Sequence, residues 1–246
     1  AALMAFRQWL TDKDCYVFTI NGFPFGNFHG SRVKEQVYVP DWTSPDRLAY
    51  TNRLFDLIAA LVPDGVEGSV STLPGSFKEF ITDESQERVI RENIWKCAEH
   101  IAALSDRTGK ALHLGLEPEP LGYFETSAET IQFFERLREE HPNDPKLTEH
   151  LGVNYDTCHL AVEYEEPEAA LGALREAGIR ISKLHLSAAL IVRPDEATRA
   201  RLKPFEEDVY LHQVVERLPD GSLNRHRDLD VALATYNPAE EWRIHF

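Results

Sequence analysis

Cysteine is scarce in this chain. Cys15, Cys97 and Cys158 are the only three in 246 residues. Their number is odd, they lie far apart, and none has CxxC spacing. A disulfide framework is therefore not expected, and Cys158 reads as packing rather than as a nucleophile. This usage fits a reducing compartment, so the expected localisation is cytoplasmic. Basic residues are few as well: 26 against 41 acidic ones, a formal net charge of −15. That balance favours solubility and argues against nucleic acid as the main partner. Long hydrophobic runs are missing too. No stretch approaches the roughly 20 apolar residues of a membrane helix, and no secretory leader is visible. A 43% hydrophobic content still provides for a sizeable core and excludes a disordered composition.

What is present is alternation. Apolar, β-branched runs at 16–20, 66–73, 111–117, 151–155 and 181–186 predict strands. Between them lie helical patterns. One opens at Ser44-Pro45-Asp46, with Ser44 as cap and Pro45 at the first helical position. A second spans about 85–107, with Val89, Ile90, Ile94, Ala98 and Ile101 at helical spacing. A third starts at 127 and a fourth runs over 167–177, before Gly178. The order β, α, β, α predicts an α/β fold with parallel strands under covering helices. Residues 195–238 break the pattern. There 209–215 alternates and Pro219-Asp220-Gly221 turns back, which predicts a hairpin-like insertion before a last barrel strand at 242–246. Six barrel strands result, two short of a closed eight-stranded barrel. The first residues already read as a helix in progress and the last five as a strand. Residues 1–246 are therefore expected to be one domain cut from a longer protein at both ends. The acidic run Glu163-Tyr164-Glu165-Glu166 reads as a solvated helix start.

Three of these strands end on chemistry. His113, Gly115 and Glu117 share one face, because side chains alternate along a strand. A carboxylate there needs a cation or hydrogen bonds. Glu119 follows between two prolines that hold the loop extended. Asp156 ends the next apolar run, a costly position unless it binds something, and His159 follows three residues later. A plainer reading is that Asp156 caps the following turn. One βα unit on, His185 shares a face with Lys183. Acid, acid and histidine thus recur in step, and the expected metal ligands are Glu117, Asp156 and His185, with His245 on the final strand as a fourth. Carboxylate and imidazole donors together suit Zn²⁺, Mn²⁺ or a similar divalent ion. Lys183 is a candidate for binding a substrate anion or for balancing the acids. The aromatic, glycine-rich loop over 22–30 offers Phe23 and His29 as substrate contacts.

At Glu117, Asp156-Thr-Cys-His159 and His185 the chain resembles the xylose-isomerase-like TIM-barrel superfamily. That group includes sugar isomerases, ketose epimerases and an endonuclease branch. More narrowly, Asn-Gly-Phe-Pro-Phe-Gly and Leu-Glu-Pro-Glu-Pro resemble the E protein of the ebo metabolite-traffic cluster. The superfamily resemblance implies a (β/α)8 barrel, incomplete here at its N-terminus. It implies that Glu117 is both metal ligand and acid/base group, and that His159 holds substrate and takes part in catalysis. It also implies a second acid/base glutamate on the last strand, where 242–246 offers His245 and no glutamate. The expected function is a divalent-metal-dependent isomerase or epimerase acting on a sugar-like hydroxy-carbonyl metabolite. Its expected partner is a small-molecule substrate, and self-association is left open. A metabolite-binding or traffic protein without turnover is the alternative. Metal-dependent phosphodiester hydrolysis comes third, since it needs a basic groove that a −15 chain does not suggest.

Overall fold

The computed structural model describes residues 1–26 and 33–246. Helix α1 (Ala2–Asp12) leads into strand β1 (Thr19–Asn21). Ser44 accepts a hydrogen bond from Asp46 N at 3.2 Å, and Pro45 takes the first helical position of α2 (Pro45–Leu61). Strand β2 (Gly68–Thr72) is followed by α3 (Glu84–Thr108), which Asp83 caps and Gly109 ends at φ 68°, a left-handed conformation that favours glycine. Then come β3 (Leu112–Leu116), α4 (Ser127–Glu140), a one-turn α5 (Lys146–Glu149) and β4 (Leu151–Asp156). A short α6 (Thr157–Val162) and α7 (Pro167–Glu176) connect to β5 (Arg180–His185).

The five strands pair side by side in chain order, all parallel. Each of the four connections between them carries at least one helix, and β2, β3 and β4 are buried at every position. The sheet curls. Lys183 on β5 reaches Ser71 on β2, Nζ to Oγ 3.3 Å. Gly115 permits this inner packing, since a Cβ there would lie 3.1 Å from Asn154 N and 3.2 Å from Ser182 Cβ. The result is an incomplete (β/α) barrel, with Ile58, Phe55, Ile90 and Ile94 packed in one core with Val70 and Leu114. Strand β5 departs from its neighbours: Ile181 and Leu184 are 39% and 49% exposed.

After β5 the chain builds a second layer. Strands β6 (Leu190–Val192), β7 (Val214–Arg217), β8 (Leu223–His226) and β9 (Glu241–Ile244) form an antiparallel sheet in the order β6-β9-β7-β8. Helices α8 (Glu196–Leu202) and α9 (Leu229–Ala234) pack their Leu202 and Leu229 with Val214, Trp242 and Ile244. The predicted hairpin exists as β7–β8, turning at Gly221 with φ 84°. Its first strand starts only at Val214. The strand predicted at 242–246 is not a sixth barrel strand. It is β9, paired antiparallel with β6 and β7. Its burial differs from that of the inner barrel strands. Glu241-Trp242-Arg243-Ile244 alternates between partly buried and buried, as in a half-covered antiparallel sheet, whereas β2, β3 and β4 are buried at every position. The acidic run also differs from expectation. Glu163 is buried against Arg225, and Glu165 accepts from Ser127 N and Oγ. Among the described residues, no helix is long and apolar enough to cross a membrane.

Candidate metal centre

Glu117, Asp156 and His185 stand at the carboxyl ends of β3, β4 and β5, where adjacent parallel strands deliver their last side chains to one rim. One ligand atom from each lies within 4.8 Å of the others. His185 Nδ1 is 3.1 Å from Glu117 Oε1 and 3.3 Å from Asp156 Oδ2. Such spacings match the roughly 3 Å between neighbouring donors around an ion held at about 2.0–2.2 Å. Asn154 Nδ2 approaches the same ring nitrogen at 3.2 Å. An amide donor and two carboxylate acceptors on one nitrogen cannot all be served by a single tautomer.

Asp156 divides its two oxygens. Oδ1 caps α6, accepting from Cys158 N at 2.8 Å and His159 N at 3.3 Å, and also from Ser187 Oγ. Oδ2 faces His185. The cap and the rim position are thus one residue's work. Burial opposes ionisation of Asp156, but His159 and these hydrogen bonds prevail and hold its pKa below the usual carboxylate range. Glu117 is 4% exposed, and its Oε2 is buried without a hydrogen-bond partner. A buried carboxylate oxygen left unpaired is costly. Two acids, an imidazole and that orphaned oxygen fit a divalent cation in both charge and donor type.

His159 sits beside the triad. Its Nδ1 donates to Pro118 O at 3.1 Å, which leaves Nε2 towards Glu119 Oε2 at 3.8 Å and Asp156 Oδ2 at 3.9 Å. Burial disfavours its charged form, but Glu119, Asp156 and Glu117 together raise its pKa. Burial pushes the Glu119 carboxyl up to about 7, against the pull of His159 and the Tyr38 hydroxyl. His245 is not in the converging group. Its Nδ1 meets Gln213 Oε1 at 2.8 Å, its ring lies 4.8 Å from that of His159, and burial and the repulsion of His159 bring its pKa to about 3. Lys183 is on the inner face but bonds Ser71, its pKa lowered by burial. His29 lies outside the described residues.

A cavity of about 480 Å³ opens against this group. Glu117, Glu119, His159, His212 and His245 line part of it, Asn21, Lys34 and Tyr210 contribute as well, and Phe23, Pro24, Val33, Val37, Leu211 and Phe246 supply its apolar wall. Phe23, an expected substrate contact, is part of this wall. The sequence marks Glu119 but gives it no role, and it does not mark His212. The signal for Glu119 was its place between two prolines. His212 arrives through the second sheet, whose pairing no local pattern announces.

No family model matches the chain, and no curated protein matches it in sequence. Solved structures similar to it include a D-psicose 3-epimerase from Clostridium cellulolyticum H10, at 16% identity and TM-score 0.48, over 74% of this chain and 56% of that one. An L-ribulose 3-epimerase matches at 16% identity and TM-score 0.46, over 83% and 63%. A D-tagatose 3-epimerase-like protein matches at 14% and 0.49, over 85% and 73%. The chain therefore spans little more than half the length of the first. Likeness at this level assigns neither activity nor substrate.

Proposed function

We propose that this protein is a divalent-metal-dependent isomerase or epimerase acting on a sugar-like hydroxy-carbonyl metabolite. The observation that carries the reading is the convergence of Glu117, Asp156 and His185 beside a cavity, with Glu117 Oε2 unpartnered. These three would hold the ion. A divalent ion there supplies Lewis-acid polarisation of a carbonyl or hydroxyl oxygen. Glu117 is the candidate for taking a proton from the carbon next to the carbonyl. His159, fixed by Pro118 O, presents Nε2 to the cavity and orients a substrate oxygen. The partner group expected on the last strand is replaced by another candidate: Glu119, a second carboxyl on the cavity wall. The test is hydrogen–deuterium exchange into a panel of ketoses in D₂O with Mn²⁺ or Zn²⁺. Exchange that disappears in Glu117→Gln and weakens in Glu119→Gln supports the reading. Absence of metal binding at neutral pH sinks it.

A second reading has its own observation: strand β9 offers the cavity His245 rather than a carboxylate. On that reading the protein binds a metabolite without turnover, as the proposed resemblance to the ebo E protein would imply. None of the solved structures named above is of that kind. Ligand binding without Glu117-dependent exchange distinguishes it. Residence in the cytoplasm accords with either reading.

A further inference from the structure

The cavity has two unlike ends. At one, Glu117 Oε2 is unpartnered and His159 Nε2 makes no close hydrogen bond. Along the other, Phe23, Val33, Val37, Leu211 and Phe246 present carbon. Most polar groups there are engaged with the protein itself. Lys34 Nζ donates to Asp228 and to Glu207 O at 2.7 Å. His212 Nδ1 meets His245 O at 3.1 Å, and its Nε2 lies 3.2 Å from Glu207. His245 Nδ1 is taken by Gln213, and Asn21 Oδ1 accepts from Phe23 N at 3.0 Å. A free polyol ketose carries a hydroxyl on almost every carbon. Seated here it would strip water from those hydroxyls along a wall whose described polar atoms are largely committed. A ligand with one polar end and one apolar body meets no such cost, and the body gains by leaving water.

We propose that the cavity takes an amphipathic hydroxy-carbonyl compound: a short hydroxy-ketone head at Glu117 and His159, joined to an apolar ring or chain against Phe23, Val37 and Phe246. This rests on the reading of the triad as a metal centre only for where the head sits. The volume of about 480 Å³ falls within the range of small-molecule sites and leaves room for such a body.

Isothermal titration with three probes, with and without Mn²⁺, tests the inference. The probes are 2-hydroxyacetophenone, dihydroxyacetone and D-fructose. The aryl hydroxy-ketone is expected to bind at least about tenfold tighter than either of the others. Phe246→Ala, at a residue 48% exposed, and Val37→Ser are expected to cut that preference several-fold while leaving dihydroxyacetone unchanged. Fructose binding as tightly as the aryl probe, no aryl binding, or a preference untouched by both substitutions overturns the inference. Mn²⁺ titration of the wild type reads the metal centre separately. An aryl preference without Mn²⁺ binding keeps this inference and sinks that reading. Mn²⁺ binding without an aryl preference does the reverse.

Discussion

Asp156 shows how one side chain serves fold and site together. Its Oδ1 holds the start of α6 and its Oδ2 turns to His185. The two roles separate by substitution. Asp156→Asn keeps an oxygen for the cap and loses the charge. Mn²⁺ affinity is expected to fall by at least about 10-fold, since loss of mere supporting groups around a metal costs roughly 10–100-fold. Urea unfolding in the presence of EDTA is expected to show only the smaller loss that goes with the depressed Asp156 pKa. Asp156→Ala loses the cap as well, and about 1 kcal/mol of stability with it. Equal Mn²⁺ titration curves for Asn and wild type would remove Asp156 from the ligand set. The rim residues were legible in the sequence because each closes a strand at the same phase. The split use of Asp156 was not, since a cap and a ligand look alike in sequence. Neither were Asn154 and Ser187, whose bonds to His185 and Asp156 depend on how neighbouring strands register.

At the scale of elements, the two sheets are tied by a charge cluster at their junction. Only its carboxylates, Glu125 and Glu163, are buried: Arg225 on β8, partly exposed, reaches Glu163, just after α6, and Glu125, before α4; Nε lies 3.0 Å from each. Lys78, beyond β2, closes on Glu125. Glu163 Oε1 is buried without a partner, and burial, aided by Glu125, raises its carboxyl to about 7, even beside Arg225. A carboxyl whose folded pKa is raised binds its proton more tightly in the folded state. Between about pH 4.5 and 7 the folded protein then holds more of that proton than the unfolded chain does, and this contribution to stability declines as pH rises. In Glu163→Gln that decline is removed. The wild-type urea midpoint, measured relative to that of Glu163→Gln, is therefore expected to fall over this window. Curves that stay parallel from pH 4.5 to 7.5 contradict it. In sequence this acidic run looks solvated, because charge runs are commonly so. Only the approach of β8, more than sixty residues on, buries Glu163. Elements with local causes, such as the Ser44 cap or the spacing within α3, were readable. β9 was misassigned to the barrel because its partners lie far away in sequence.

For the whole molecule, the question is whether the incomplete barrel and the second sheet act as one body. Several links join them. Arg243 Nη1 donates to Ala161 O at 2.7 Å, Tyr164 donates to Glu241 O at 3.1 Å, and the buried pair Lys34–Asp228 connects the turn after β1 to the cap of α9. The cavity is shared as well. Glu117 comes from the barrel, His212 and His245 from the chain around β7 and β9. Buried polar links that would be left unsatisfied by separation make separation costly. One cooperative unfolding transition is therefore expected, with far-UV circular dichroism and tryptophan fluorescence coincident. Truncation in either core should then shift the same midpoint. Leu114→Ala, in the barrel core and fully buried, is expected to cost about 2–5 kcal/mol, and Trp242→Ala, in the second sheet and fully buried, about 3–5 kcal/mol. Leu184→Ala, on the exposed outer face of β5, should stay within about 0.5 kcal/mol. If Trp242→Ala instead produces an early transition that leaves the Leu114 core at its wild-type midpoint, the two sheets are independent units. The cavity they share would then form only while both are folded, and ligand affinity would fall with the less stable of the two.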